Sequence, residues 1–198
     1  MVDEIMVVTI HQPEHFPYMG FFQKANAADL IVLLDTVKFR KNYFQNRNRM
    51  IDAAGNEIWF TVPVRKGSSS LPIKEVMVSK DGMWRKKVLS TIKHSMGFDA
   101  GFLYDYEKLS DINVAGIRWA FNELNINTEI VMASDLQATG SKSELLANIC
   151  REMNATTYIS GPSGKNYLDE SVFADVKIEY FSPNVENHLS CIYNICCK

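Results

Sequence analysis

Residues 5–35, IMVVTIHQPEHFPYMGFFQKANAADLIVLLD, decide the fold of this chain. The run Ile5–Ile10 is apolar and largely β-branched, as expected for a strand that is covered on both faces. Helical apolar spacing follows over Tyr18–Ala28, and a second apolar run over Leu30–Leu34 predicts another strand. A strand, a helix and a strand in this order normally place two parallel strands side by side, with a right-handed crossover. The stretch therefore predicts one β-α-β unit of a parallel sheet.

The rest of the chain continues this alternation after a β-hairpin. Strands at Arg47–Ile51 and Ile58–Val64, around a turn at residues 54–56, predict the hairpin. Further strands are predicted at Ile73–Val78, Thr128–Ala133, Thr157–Ser160 and Lys177–Phe181. Helices are predicted at Trp84–Met96, Phe102–Leu109, Asn113–Asn125, Ser141–Met153 and Asp169–Ala174. Ser141 and Glu144 have the spacing of a capping box.

These elements predict the fold class and the domain organisation. The fold is expected to be α/β, with a Rossmann-like, mainly parallel sheet, a β-hairpin insertion and a helical segment. A length of 198 residues fits one domain with a sizeable core, so we expect a single α/β domain over 1–198 with a helical sub-region at 81–126.

Composition narrows the classes of partner. The net charge is -2, which argues against a broad electrostatic grip on nucleic acid or on an anionic membrane, so any basic site must be local. The N-terminus MVDEIMVVTI is acidic and its apolar run is short, which fits neither a signal peptide nor a membrane span. Four cysteines without a CxxC motif, three of them in the last eight residues, favour reduced thiols and a cytoplasmic protein. The sequence identifies no cofactor and no oligomeric state.

The first group of candidate residues follows the first predicted strand. In open α/β sheets, ligands bind beyond the carboxyl ends of the strands. His11 stands there, where a histidine can hydrogen-bond a phosphate or act as an acid or base near neutral pH. His15 lies four residues later, and Gly20 could let a ligand approach the backbone closely. A structural histidine in a turn is the alternative, and the pair with Glu14 lacks a third ligand for a metal site.

The second group follows the second strand, which ends at Asp35. Five cations lie within twelve residues: Lys38, Arg40, Lys41, Arg47 and Arg49. They are interleaved with Phe39, Tyr43 and Phe44, so that guanidinium groups could bind phosphate or carboxylate while the aromatic rings stack on a flat ligand. Asn46 and Asn48 alternate with the two later arginines, so the two pairs are expected on opposite faces of a strand. The alternative is a solvated basic loop.

The third group lies in the segment 158–168, YISGPSGKNYL, where a strand runs into a glycine-containing loop. Small residues would let backbone amides approach a ligand, and Lys165 could supply a positive charge. The segment is not a Walker A loop, because Ile159 stands where that motif needs glycine. A plain tight turn is an equal alternative. Outside these groups, Trp59, Trp84 and Trp119 are expected to be packing residues, and His94 is expected to be exposed.

Together these segments resemble the WbqC-like family. The resemblance is carried by residues 10–50 (IHQPEHFPYMGFFQKANAADLIVLLDTVKFRKNYFQNRNRM), 59–64 (WFTVPV) and 158–169 (YISGPSGKNYLD), and it spans about 10–181. It implies an association with bacterial surface polysaccharide (O-antigen) gene clusters, and it implies where a site lies rather than which reaction occurs there. The family's blocks correspond here to His11, Gln12, Pro13, Gly20, Lys24, Asp35, Gln45, Asn46, Arg47, Arg49, Ser160, Gly161 and Tyr167. The fold is also similar to nucleotidylyltransferase-type Rossmann-like domains, although the histidine spacing differs from their HxGH.

The leading hypothesis is an enzyme that transfers a group from an anionic small molecule, such as a nucleotide, a sugar nucleotide or an activated acyl donor. His11 would contact or protonate a phosphate or leaving group, and Asp35 is the second candidate catalytic residue. The candidate substrate-binding residues are Gln12, His15, Gly20, Lys24, Lys38, Arg40, Asn46, Arg47, Arg49, Ser160, Gly161, Lys165 and Tyr167. The alternatives are a non-catalytic module that binds an anionic ligand or partner, and, third, a nucleic-acid-binding protein.

Overall fold

A parallel β-sheet, a β-hairpin and five α-helices make up the described part of the chain. The computed structural model describes residues 5–197. In chain order the strands are β1 (Val7–His11), β2 (Leu30–Leu33), β3 (Arg47–Ile51), β4 (Glu57–Thr61), β5 (Glu129–Met132), β6 (Thr157–Ser160) and β7 (Lys177–Tyr180). The helices are α1 (Met19–Asn26), α2 (Met83–Met96), α3 (Leu109–Glu123), α4 (Lys142–Glu152) and α5 (Cys191–Cys196). The predicted α/β class is confirmed.

The chain forms two compact units, each assembled from separate segments. The first unit contains residues 5–12, 20–34 and 127–184. The second contains residues 13–19, 35–126 and 185–197. The expectation of one domain over 1–198 stays a prediction.

The first unit is a five-stranded sheet in the order β5-β2-β1-β6-β7. Every neighbouring pair in it is parallel. β1 is central and pairs with β2 through Val8 and Leu30, and with β6 through Val8 and Tyr158. The predicted Rossmann-like, mainly parallel sheet is therefore confirmed, and residues 5–35 supply its centre.

The burial of β1 explains why its sequence is almost wholly apolar. Val8 and Ile10 on one face are 0% and 6% exposed, and Thr9 on the other face is 0% exposed, so neither face of the strand reaches water at these residues. Thr9 is the buried polar residue of the strand, and its hydroxyl donates a 2.8 Å hydrogen bond to the carbonyl of Ile159. This bond satisfies the hydroxyl, which would otherwise destabilise the core. α1 adds Phe21 and Phe22 to the core, each 1% exposed.

The second unit contains the predicted hairpin. β3 and β4 are antiparallel and pair in register from Arg47 opposite Thr61 to Ile51 opposite Glu57. Asp52 closes the turn, because its carboxylate accepts hydrogen bonds from the backbone N–H groups of Ala54 and Asn56, both at 2.9 Å. α2 and α3 fall within the helical sub-region predicted at 81–126.

The predicted strand at Ile73–Val78 is wrong. A 3-10 turn spans Ile73–Glu75, and Val78 makes a single bridge to Val64. Ile73, Val76 and Val78 are fully buried, so the apolar pattern correctly indicated that these residues belong to the core. The backbone N–H of Ile73 bonds to the carbonyl of Val37 instead of joining a ladder of strands. Loop contacts thus take the place of strand pairing.

The predicted helix at Phe102–Leu109 is also wrong. A 3-10 turn spans Gly101–Leu103, and α3 begins at Leu109. The guanidinium group of Arg85, on α2, donates hydrogen bonds to the carbonyls of Tyr104 and Tyr106. These two carbonyls are therefore held away from the partners that a helix would give them.

The predicted capping box at the start of α4 does not form. Ser141 does occupy the N-cap position, in extended conformation, but its side chain makes no capping hydrogen bond. Gly140, with φ +120°, packs against the side chain of Glu144, so that a Cβ there would lie 3.1 Å from its Cγ. The side chain of Glu144 therefore packs against Gly140.

Two further features bear on expectations from the sequence. Among residues 5–197, no helix is long and apolar enough to cross a membrane. The four cysteines are free thiols, and burial raises the pKa of Cys150 to about 12.

Gly164 gives a test of the turn after β6. A Cβ at this buried position would lie 2.2 Å from Ser160 Oγ and 3.1 Å from Leu168 Cδ1. We expect Gly164→Ala to lower the free energy of unfolding by about 1–3 kcal/mol, because overpacking forces neighbouring atoms to shift. Gly161→Ala is the matched control, since no atom lies within 4 Å of its Cβ position. Urea denaturation measures both; equal stability of the two variants would contradict the packing described for this turn.

Candidate functional site

The carboxyl ends of β1 and β6 lie side by side in the sheet of the first unit. From β1 the chain passes through α1 to β2 on one edge, whereas β6 pairs with the other edge of β1. The order of the strands therefore changes direction at β1, and ligands of open α/β sheets bind at such a switch point. His11 and Gln12 follow from β1, and Ser160 and Gly161 from β6. The topology therefore brings His11 of the first group close to Ser160 and Gly161 of the third group, whereas His15 of the first group belongs to the second unit.

His11 is a neutral, partly accessible imidazole at the end of β1. Its ring meets Phe21 edge-on, with ring centroids 5.0 Å apart, and its carbonyl accepts a 2.8 Å hydrogen bond from the N–H of Leu34. Burial lowers the pKa of His11 well below its ordinary value, and the positive charge of Lys24 lowers it further. A neutral imidazole at pH 7 can accept a proton or donate an N–H hydrogen bond.

Lys24 is a buried cation on α1. It is 7% exposed, and its Nζ donates a 3.3 Å hydrogen bond to the carbonyl of Ile10, the residue before His11. A buried ammonium group is costly unless it is paired or hydrogen-bonded, so its place beside the end of β1 is a notable feature of the unit. Its charge favours an anion at this end of the sheet.

The segment after β6 combines a buried anchor with an exposed turn. Ser160 is 1% exposed, and its Oγ lies against Gly164. A 3-10 turn spans Pro162–Asn166 and exposes Lys165, whose Nζ lies 5.2 Å from the centre of the Tyr180 ring. Tyr167, just after the turn, is 63% exposed. The turn therefore offers a cation and an aromatic ring that a ligand can reach.

His15 belongs to the second unit and lies in its core. It is 0% exposed, and its Nε2 shares a 3.0 Å hydrogen bond with the hydroxyl of Tyr104. The rings of Phe16 and Phe60 lie 5.0 and 5.1 Å from its own. Burial lowers the pKa of His15 to about 3, and the neighbouring Asn113 side chain opposes this shift. These contacts give His15 a structural part rather than an accessible binding position.

Buried amides hold the loop that carries His15. Asn48 donates hydrogen bonds to the carbonyls of His15 and Phe16, at 3.1 and 2.7 Å. Asn113 donates to the carbonyls of Pro13 and Gln45, at 2.9 and 2.8 Å. Asn113 and Tyr104 could not be predicted as partners of this loop, because a polar residue inside a helical pattern reveals its partner only in three dimensions.

The remaining candidates between Asp35 and Asn46 differ in accessibility. Asp35 is 2% exposed, and its carbonyl accepts a 2.9 Å hydrogen bond from the N–H of Lys74. Asn46 is 2% exposed and donates to the carbonyl of Val62. Lys38 and Arg40 are exposed. Arg40 lies over the ring of Tyr43, with 4.4 Å between its Cζ and the ring centroid.

Arg47 and Arg49 lie on the outer face of the hairpin with Trp59. Their Cζ atoms are 4.1 and 5.6 Å from the centre of its ring system. Asn48 is buried on the opposite face, which confirms the predicted alternation. The expectation that Trp59 is a packing residue is wrong, because its side chain is 46% exposed; Trp84 and Trp119 are buried as predicted. The antiparallel register of the hairpin places Trp59 opposite Arg49 on one face, and this pairing with a charged residue was the signal that could have predicted the exposure of Trp59.

The candidate residues thus divide between the two units. Those in the first unit are His11, Gln12, Gly20, Lys24, Ser160, Gly161, Lys165 and Tyr167. Those in the second are His15, Asp35, Lys38, Arg40, Asn46, Arg47 and Arg49. His94 is exposed on α2, as predicted.

Comparison with known proteins supports the family resemblance. The sequence model of the WbqC-like protein family matches residues 12–190. The chain belongs to this family. An uncharacterized protein of Mycobacterium tuberculosis is 30% identical to it over 185 residues, covering 86% of this chain and 79% of that protein. No solved structure matches the chain. The family match begins at Gln12, directly after β1, and covers the five cations of residues 38–49, the hairpin and the turn after β6.

The burial of His15 predicts a pH dependence of stability. The pKa is about 3 in the folded chain and 6.5 ordinarily, so between these values the unfolded chain binds a proton that the folded chain does not. The free energy of unfolding therefore falls as the pH is lowered through this window, by about 1.4 kcal/mol per pH unit for one histidine. His15→Gln should reduce this slope by about that amount in urea denaturation between pH 6 and pH 4. The exposed His94→Gln serves as control, and an unchanged slope for His15→Gln would contradict the buried, neutral state.

Proposed function

We propose that this protein is an enzyme that transfers a group from an anionic small molecule bound beyond the carboxyl ends of β1 and β6. The observation that carries the proposal is the neutral imidazole of His11 beside the buried ammonium group of Lys24, at the switch point of the sheet. A proton acceptor and a cation side by side suit a reaction in which a nucleophile loses a proton and an anion departs.

His11 is assigned the part of a general base in this reaction. The lowered pKa makes His11 a poor proton donor at pH 7, so it does not suit the protonation of a leaving group. An unprotonated ring nitrogen of His11 would accept the proton of the acceptor's hydroxyl or amine. The acceptor atom then bonds to the transferred phosphoryl, glycosyl or acyl group, and the bond from that group to its anionic leaving group breaks.

The cations of the first unit are assigned to the donor's negative charge. Lys24 supplies a charge close to the base, and exposed Lys165 supplies one that can approach the donor from the turn after β6. Backbone N–H groups near Gly161 could approach the same anion, because no side chain stands there. A nucleotide, a sugar nucleotide or an activated acyl compound has the required charge and leaving group.

The setting proposed for this reaction is the biosynthesis of bacterial surface glycans in the cytoplasm. The support for this setting is the association with surface polysaccharide gene clusters that the resemblance to the WbqC-like family implies. A nucleotide-activated sugar fits both the setting and the charge of the site.

A non-catalytic module that binds an anionic ligand is the second candidate. The observation that favours it is the exposure of Lys165 and Tyr167, which can hold an anion and a ring without any proton transfer. The two candidates differ in their demand on His11. Binding of a ligand needs only the size of the His11 side chain and its ability to form hydrogen bonds, whereas group transfer needs the basic nitrogen of the imidazole.

A ligand screen tests the proposal on the whole chain. A nucleotide, sugar nucleotide or acyl donor that binds is expected to stabilise the protein by about 2.7 kcal/mol at a hundredfold excess over its Kd. This corresponds to a rise in Tm of roughly 5–10 °C for a chain of this size. Lys165→Ala should weaken this binding, while Lys87→Ala, an exposed lysine of α2, should not. If no member of the three donor classes raises the Tm, the proposal fails.

The His11 variant separates the two candidate functions. With a donor found in the screen, His11→Gln should keep binding within a fewfold and lose about 100-fold or more of the turnover, because the amide has no basic nitrogen. His94→Gln is the matched control and should keep full activity. Turnover that survives in His11→Gln would exclude His11 as the base, and binding without turnover in the unmodified protein would favour the binding module.

The pH profile of turnover tests the effect of Lys24 on His11. A base with a lowered pKa stays deprotonated at neutral pH, so kcat/KM should fall only as the pH drops well below 6.5. Lys24→Met removes the positive charge and should move this acidic limb to higher pH. A limb that stays in place would show that the charge of Lys24 does not act on the base.

A further inference from the structure

The outer face of the β3–β4 hairpin carries a side-chain arrangement that the proposed reaction does not use. Alternate residues point to opposite faces of the hairpin. Asn48, Met50 and Phe60 are at most 3% exposed on the inner face. Arg47, Arg49 and Trp59 occupy the outer face. Two guanidinium groups therefore lie over the ring system of one indole that is 46% exposed.

The contacts of Arg47 are aromatic rather than ionic. Its Cζ lies 4.1 Å from the centre of the Trp59 ring system. Its Nε is buried without a hydrogen-bond partner, and within residues 5–197 no carboxylate forms an ion pair with it. The Nε of Arg49 is also buried without a hydrogen-bond partner, but the guanidinium group of Arg49 forms a 3.1 Å ion pair with Glu57. Of the two arginines on this face, Arg47 is the one whose charge is not matched by an acid.

Trp59 is unusually accessible for so large an apolar ring. It is 46% exposed, whereas Trp84 and Trp119 are 8% and 9% exposed. Phe44 supports it at a ring distance of 6.2 Å, and Tyr43, which is 40% exposed, stacks edge-on against Phe44. Because the ring of Trp59 is 46% exposed although Arg47 lies over it, the face offers an accessible flat surface with a local positive charge.

We propose that this face binds a nucleotide, with its base stacked on Trp59 and its phosphate held by Arg47. A nucleotide joins a planar ring to an anion, which are the two features that the indole and the guanidinium group complement. Base stacking on an aromatic side chain tolerates different bases, so the face selects the class of ligand rather than one base. The inference rests on the second unit alone and does not depend on the part assigned to His11.

Tryptophan fluorescence provides a direct test, because Trp59 is the exposed one of the three tryptophans. Titration with adenosine monophosphate or uridine monophosphate should change the emission in a saturable way, and Trp59→Phe should remove this change. Adenosine and ribose 5-phosphate, which each carry one of the two features, should bind at least about tenfold more weakly.

Variants measured by calorimetry extend the test beyond the fluorophore. Arg47→Gln and Trp59→Ala should each weaken nucleotide binding about tenfold or more, since each removes one of the two contacts. Arg118→Gln is the matched control, because Arg118 is an exposed arginine of α3 outside the hairpin. Circular dichroism confirms that the variants fold, so a loss of binding reports on the face itself.

Three results would overturn the inference. Ribose 5-phosphate that binds as tightly as the nucleotides would leave only a phosphate site. Oligonucleotides that bind with a steep salt dependence, while mononucleotides do not bind, would point to single-stranded nucleic acid. Nucleotide binding that survives unchanged in both Arg47→Gln and Trp59→Ala would place the ligand elsewhere, and such a result would leave the proposal on His11 standing.

Discussion

The pairing of β1 with a parallel strand on each edge is the constraint on which the first unit depends. A strand with neighbours on both edges and with both faces covered has to satisfy its polar groups without water, which explains the apolar run and the hydroxyl of Thr9 bonded to Ile159. Accessible polar side chains that could bind a ligand are therefore excluded from the body of the strand. Such side chains become possible at the carboxyl end, where His11 emerges beside the end of β6.

A second constraint concerns the buried polar side chains of the second unit. Asn48 and Asn113 donate to four loop carbonyls in all, and His15 is held neutral by burial with its Nε2 against Tyr104. Such groups are costly to bury and fix a loop firmly once they are satisfied. The histidine that looked like a ligand-binding residue thus helps to define the loop, while Trp59, which looked like a packing residue, is accessible.

Much of the fold could be predicted because its signals are local. The β-α-β unit over residues 5–35, the hairpin, and the strands near 129, 157 and 177 follow from periodicity and from turn residues. The errors at 73–78 and 102–109 arose where apolar residues are buried by a distant segment. In the segment 102–109, Arg85 donates hydrogen bonds to the carbonyls of Tyr104 and Tyr106, and no pattern in the local sequence predicts this partner.

The sequence by itself determined the fold class, the family and the position of His11 and of the glycine-containing turn at strand ends, since these depend on the order and periodicity of residues along the chain. Only the tertiary structure decided which of the two histidines is accessible, which face of the hairpin carries Trp59, and that Lys24 lies beside the end of β1. Burial and charge proximity depend on groups that are distant in the sequence and close in space. Lys24 contacts Ile10, which is 14 positions away, and Tyr104 contacts His15, which is 89 positions away. The lowered pKa of His11 therefore follows from packing and not from the motif.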